Sequence, residues 1–428
     1  LNKFFATQHN FFLSFVLSHF PKYLLGVSQK LEKRTKKHLQ EIESNGLRRV
    51  LREPHGVDLS SNDYLCLSQH THLKQAMISA VEKEGCGSTA SRLLRGEREC
   101  FAEIEKRFAG FKETESALFF CSGYAANTGL LTAFLEEGDT VFTDELNHAS
   151  LIDGIRLSKA KRVIFPHNDF GALNNLIKTT ACEGQRFLVT ESLFSMDGDV
   201  APLDKYAKLC RKTNTALIVD EAHAVGIYGE KGSGFIEKFG IGEDVFLSMN
   251  TCGKALGVSG AFVCGDDWAI DYLIQRARSF IFSTAAPPAV CAAIGAALDL
   301  IEEEPERRER LLSLSKFLGE CLHENRIGVP DFSFQLPDSK WENPQSQIIP
   351  IIIGDSERAV AVASHLQREG FDVRAVRPPT VPKGTARLRV SLNVGVDENM
   401  LSEFVTRLKT ALEKIDTKLK TKGAILLR

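Results

Sequence analysis

The chain has 428 residues, 43% of them hydrophobic and 25% charged, with a formal net charge of -2. That length can bury a large core and house two or three domains, while the balanced charge excludes the electrostatic footprint of a nucleic-acid or anionic-membrane binder and leaves a small-molecule partner as the expectation. Ten cysteines form no CxxC pair and no Cys/His ligand cluster, so reduced cytoplasmic thiols are expected, with neither a disulfide framework nor a bound metal.

Phe11 to Val27 is rich in Phe and Leu, but Ser14, Ser18, His19, Pro21 and Lys22 interrupt it. No run reaches membrane-spanning length and no small-residue cleavage site follows, so this stretch reads as a docking arm or extension rather than a signal peptide. Lys30 to Ser44 is charged, with Leu31, Leu39 and Ile42 as sparse apolar positions, the pattern of an exposed leading helix. A short strand region then leads into Leu59 to Leu65.

From Leu118 to Cys264, short apolar runs alternate with helix-length segments of mixed polarity. The runs are 118–121, 140–143, 163–165, 187–190, 216–219, 245–249 and 261–264. They are too short for helices, and their spacing predicts the strands of a mostly parallel sheet buried on both faces. Glu302 to Glu324 reads as one long helix with charge in its first turns. After it come an apolar strand at Ile348 to Ile353, a helix near Ser356 to Glu369, and strands around Val373 and Leu388 to Leu392. The expected fold is α/β, with an N-terminal arm and helix over 1–60, a large domain with a mostly parallel sheet over 61–301, and a smaller C-terminal α+β domain over 302–428.

The chemistry collects where these runs end. Lys254 follows a buried strand among small residues, and a desolvated amine there shifts toward its neutral, nucleophilic form. Gly253 and Gly257 leave room for a flat ring. Asp220 stands directly after the run Ala216 to Val219, at the carboxyl edge where open α/β sheets bind ligands. A carboxylate there can pair with a protonated pyridine nitrogen, and His223 can reach the same ring. Ser122 and Gly123 break a strand and restart the chain as a helix, whose free amides, those of Gly123 and Tyr124, suit a phosphate. His148 can stack on a planar group, and Ser195 and Thr251 can add hydroxyls. No Walker-type GxxxxGK[ST] loop accompanies Asp220, which argues against a metal-nucleotide reading.

This constellation resembles the fold-type I pyridoxal-phosphate enzymes, and specifically the α-oxoamine synthases. The matching motifs are Ser61 to Leu65, Gly87 to Arg92, Ser122 to Asn127, Asn147 to Ser150, Phe194 to Asp199, Asp220 to His223 and Thr251 to Lys254. The stretch Arg377 to Arg389 is most similar to the biotin-pathway branch. The resemblance implies pyridoxal 5'-phosphate held by Lys254 as a Schiff base, His148 stacked on its ring, and Asp220 paired with the ring nitrogen. Gly123, Tyr124, Ser195, His223 and Thr251 would complete the cofactor shell. It further implies that Arg48, Thr380 and Arg389 contact substrate, with Arg389 gripping the amino acid carboxylate. Members are homodimers with the site at the interface, so Thr284 would reach the phosphate of the other subunit. The implied reaction is a decarboxylative condensation of L-alanine with pimeloyl-CoA or a pimeloyl-carrier protein. Glycine with acetyl-CoA, or serine with a long-chain acyl thioester, is the enzymatic alternative. A non-catalytic ligand-binding protein on this fold is the alternative from another class.

Overall fold

The computed structural model describes residues 22–328 and 346–426; the apolar stretch 11–21, read above as a docking arm, lies outside them. Lys22–Ser44 is a helix whose side chains from position 29 onward are exposed through Ser44, as its sparse apolar positions require.

After β1 (Val57–Asp58) the apolar runs form β2 (Ser116–Phe120), β3 (Thr140–Asp144), β4 (Lys161–Phe165), β5 (Arg186–Glu191), β6 (Thr215–Asp220), β7 (Val245–Thr251) and β8 (Ala261–Gly265). These last seven make one sheet in the order β2-β8-β7-β6-β5-β3-β4. β8 runs antiparallel to both neighbours, and every other pair is parallel. Parallel strands need helical crossovers that cover both faces. Accordingly Phe142, Leu188 and Leu217 belong to one core while Val141, Val189 and Ile218, their chain neighbours, belong to the core on the opposite face.

Two expectations are corrected here. β4 is not buried on both faces: it is the sheet's edge, and Lys161, Arg162 and Ile164 are exposed, in keeping with charge on an unpaired edge. The predicted helix from Glu302 to Glu324 is two helices, Pro288–Glu303 and Glu306–Glu324. The break falls at Glu304, whose φ of -121° and ψ of 58° are non-helical, because the residue before a proline, here Pro305, is driven out of the helical region.

The C-terminal lobe contains β9 (Ile348–Gly354), β10 (Phe371–Asp372), β11 (Arg374–Val376) and β12 (Ala386–Ser391), with helices Ser356–Arg368 and Glu398–Leu426. β11, β12 and β9 form an antiparallel sheet in that order. β10 pairs instead with β1, in parallel. The chain after β1 continues this stitching, since Ser391 N donates to Leu59 O at 2.9 Å and Val394 N to Tyr64 O at 3.0 Å. No helix among the described residues is long and apolar enough to cross a membrane.

Candidate active site

β2, β3, β5, β6 and β7 all run in one direction, so their carboxyl ends share one sheet edge. That edge brings Lys254, Asp220, His223 and His148 close enough for their charges to act on one another. Burial pushes the Lys254 amine down to about 8, against the pull of Asp220 and Glu191. A substantial share of the amine is therefore neutral near physiological pH, the form that can act as nucleophile or base.

Asp220, buried at the end of β6, accepts from Asn127 Nδ2 on Oδ2 and from Ala222 N on Oδ1, both at 2.8 Å. The same Asn127 Nδ2 donates to Ser150 Oγ at 2.9 Å, which lies 2.8 Å from His148 Nδ1. Ser150 N also donates to that ring nitrogen at 3.3 Å. With Nδ1 accepting, the proton of a neutral His148 sits on Nε2. Burial, followed by the repulsion of Lys254 against the attraction of Asp220, lowers the pKa of this imidazole.

Two participants were not foreseen from the sequence. Glu191, the last residue of β5, lies in register beside Asp220 and accepts from His148 N at 2.5 Å. Burial first, then the Asp220 charge, raises its carboxyl well above the usual range, because a desolvated site penalises the charged form. Tyr64 is fully buried, and its Oη lies 2.7 Å from His223 Nδ1. The opposite ring nitrogen of His223 lies 2.7 Å from Lys254 Nζ. Burial and then the Lys254 charge drive the His223 pKa well down. The only local signal for either residue was its place, at a strand end for Glu191 and inside the Ser61 to Leu65 motif for Tyr64.

Ser122 caps the helix Gly123–Phe134 through its side chain, which accepts from Ala125 N at 3.2 Å. The amides of Gly123 and Tyr124 find no protein acceptor among the described residues, as the first turn of a helix dictates. A Cβ on Gly123 would sit 3.5 Å from Thr251 Oγ1, which places the β7 hydroxyl beside these amides. The Tyr124 side chain turns away, to a hydrogen bond with Asp153. A Cβ on Gly253 would make ordinary van der Waals contact, 3.6 Å from Val258 O and 3.7 Å from Thr251 Oγ1, but Gly257 answers a different demand. Its φ is +67°, and a Cβ there would fall 2.4 Å from Ser68 N; backbone crossing, not ring clearance, requires the glycine.

Arg389, on β12, is buried and reaches the same edge. Its Nε donates to Ser195 O at 2.5 Å and its Nη2 to Asn62 Oδ1 at 3.1 Å, and the guanidinium also lies close to the Tyr64 hydroxyl. Ser195 thus enters through its carbonyl. Arg48 and Thr380 stand apart from Lys254 but together line a cleft of about 700 Å³, in which Met196, the neighbour of Ser195, also takes part. The Arg48 guanidinium is exposed and pairs with Glu43 at 2.9 Å. Thr284 is exposed, and its carbonyl accepts from the Cys121 thiol at 3.3 Å.

This donor set fits pyridoxal phosphate. It offers a primary amine of lowered pKa for an aldehyde, a fixed buried carboxylate for a pyridine nitrogen, and free helix amides with a hydroxyl for a phosphate.

Comparison with known proteins agrees with that chemistry. The family model of the class I and II aminotransferases matches residues 54–408. An 8-amino-7-oxononanoate synthase of Geobacter sulfurreducens is 44% identical over 383 residues, covering 86% of this chain and 95% of that one. The structure of an 8-amino-7-oxononanoate synthase from Francisella tularensis is 31% identical with a TM-score of 0.70, covering 86% and 99% of the two chains. A serine palmitoyltransferase variant from S. paucimobilis, with a bound pyridoxal-phosphate-myriocin aldimine, is 25% identical with a TM-score of 0.81, covering 91% and 99%.

Proposed function

This chain belongs to the class I and II aminotransferase family and, within it, to the 8-amino-7-oxononanoate synthases, and from that premise we propose that it condenses L-alanine with a pimeloyl thioester to give 8-amino-7-oxononanoate, the free thiol of coenzyme A or the carrier, and carbon dioxide, a step of biotin biosynthesis. The observation that carries the reading is the Lys254 amine at the strand edge, 2.7 Å from His223 Nε2 and close enough to Asp220 and Arg389 to feel both charges.

When bound, pyridoxal phosphate supplies an aldehyde that condenses with amines and an electron-poor ring that draws charge from the carbon they carry. Lys254 Nζ would hold the aldehyde and would be the base that takes the proton from the alanine Cα. His223 Nε2, 2.7 Å away, can donate to the neutral amine or accept from the charged one. Asp220 would face the ring nitrogen, its two oxygens fixed by Asn127 and Ala222. His148 presents its face to the ring, while the Gly123 and Tyr124 amides and Thr251 take the phosphate. Arg389 grips the alanine carboxylate, a planar task for a planar fork. Arg48 and Thr380 contact the acyl donor along their cleft.

The donor is pimeloyl-CoA or a pimeloyl-carrier protein. The working unit is a cytoplasmic homodimer in which Thr284 serves the partner's phosphate site, and the chain divides into an arm over 1–60, a cofactor domain over 61–301 and a small domain over 302–428. The test is to incubate the protein, loaded with pyridoxal phosphate, with alanine, glycine or serine and a panel of acyl thioesters, and to weigh the products. The expected product forms from alanine and the pimeloyl donor, and falls by more than about a hundredfold in Lys254→Ala. A product from glycine or serine alone would overturn the assignment.

A further inference from the structure

Arg389 takes its orientation from the Ser195 carbonyl, and Ser195 sits in a turn that is closed on itself. Phe194 N donates to Asp199 O at 3.0 Å, Gly198 N to Phe194 O at 2.9 Å, and Leu193 bridges Val200. Something outside the turn must hold it against the sheet. Arg387 grips it through Asp197 and Met196 O, Ser346 Oγ donates to Gly198 O at 2.7 Å, and the segment after β4 holds it at Asp199. His167 Nδ1 lies 2.9 Å from Asp144 Oδ1, at the end of β3, and its Nε2 lies 2.8 Å from Asp199 Oδ2. Asn168 repeats the span, donating through its backbone to Asp144 Oδ2 at 2.9 Å and through its side chain to Asp199 Oδ2 at 2.7 Å. The His167 ring meets Phe194 edge-on at 4.4 Å.

We propose that His167 is a positioning residue for the reaction: by bridging Asp144 and Asp199 it fixes the Phe194 to Asp199 turn, and with it the Ser195 carbonyl that orients the Arg389 guanidinium. Both carboxylates are buried, with side-chain exposures of 0% and 3%. Two such charges this close to one ring are tolerable only if the ring carries a positive charge. Burial alone would push the imidazole down, but its hydrogen bonds to Asp144 and Asp199 and their charges outweigh this and hold it up at about 10. The bridge is therefore charge-assisted on both sides, the strong class of hydrogen bond. Around it, the charges of Asp144, Asp199 and Asp169 all act on the buried Tyr206 hydroxyl, and Glu145 accepts from His167 N at 3.0 Å. None of these supplies a second cation, so the bridge depends on His167.

This inference rests on the proposed role of Arg389, and its test separates the two. His167→Gln keeps polarity but carries no charge, and its one amide nitrogen stands in for two ring nitrogens that lie 2.9 and 2.8 Å from different carboxylates. In the loaded enzyme its KM for alanine should rise roughly tenfold, with kcat and the KM for the acyl thioester nearly unchanged. Hydrogen exchange at the amides of Phe194 and Gly198 should quicken at least several-fold. Should His167→Gln not fold, Asn168→Gly removes only the 2.7 Å side-chain bond to Asp199 and should give the same pattern at smaller amplitude. Unchanged exchange in the turn, or a parallel loss of all kinetic parameters with the melting temperature, overturns the proposal. If the wild type fails to condense alanine with any thioester, the reading of Arg389 falls, and the exchange measurement alone then decides whether His167 braces the turn.

Discussion

Tyr64 Oη and His223 Nδ1 lie 2.7 Å apart, and through the other ring nitrogen this contact extends to Lys254 Nζ. The line can be satisfied in two ways. A charged Lys254 donates to Nε2, His223 donates from Nδ1 to Tyr64, and the phenol donates onward to Asn62 Oδ1 at 3.1 Å. A neutral Lys254 accepts from Nε2, and Tyr64 donates to Nδ1. Both protonation states of the amine find a complete set of partners, as a group that must gain and lose a proton requires.

Tyr64→Phe removes the hydroxyl and keeps the ring. In the charged state of Lys254 the Nδ1 proton then has no acceptor, so that state is disfavoured. The acid limb of the rate profile should move below its position near pH 8, and stability should fall by about 1 kcal/mol. Rates across pH and a urea titration read both effects; an unmoved limb would refute the two-way line.

Asp220→Asn should separate chemistry from folding. Asn127 Oδ1 is buried without a partner, so a rotation of that amide can accept from the new side chain, and the melting temperature should change little. The rate should drop by at least about a hundredfold, since a fixed charge at the ring nitrogen is gone. Removal of the nearby negative charge should also carry the Lys254 amine further below about 8, seen as an acid shift of the same limb.

Arg389→Lys keeps the charge but loses the fork. The bonds to Ser195 O and Asn62 Oδ1 cannot both be made while a carboxylate is gripped. The KM for alanine should rise about tenfold to a hundredfold, with a smaller change in kcat, in steady-state kinetics. A KM unaffected by the substitution would remove Arg389 from substrate binding.

Stability should depend on pH through two opposed groups. His167 is raised from 6.5 to about 10; its contribution is whole below 6.5 and is lost as pH climbs through 10. Lys254 is lowered from 10.5 to about 8; the unfolded chain binds its proton more readily, so stability gains between 8 and 10.5. In cofactor-free protein the two slopes oppose each other from pH 8 to 10. Lys254→Met should stabilise the protein at pH 7 and steepen the fall above pH 8, measured by urea midpoints. An unchanged slope would contradict the depressed amine.

The strands were legible because a strand buried on both faces is a local apolar run, and each run from Leu118 to Cys264 falls on a strand, with only Cys121 lying past its end. Residues just past those runs, Asp220, His148 and Lys254, were legible for the same reason: a parallel sheet sends its carboxyl ends to one edge. What lay beyond local sequence was the pairing across long separations. The edge position of β4, the reversal of β8, and the union of Val57–Asp58 with Phe371–Asp372 follow from how the whole chain closes its core. Tyr64 and Glu191 gained their places in the same way, since a phenol meets an imidazole and a carboxyl is pushed above its usual range only when folding has removed the water around them. Residue type and spacing determined which groups reach the edge; tertiary burial decided their protonation and which of them touch, because desolvation and long-range contact exist only in the assembled structure.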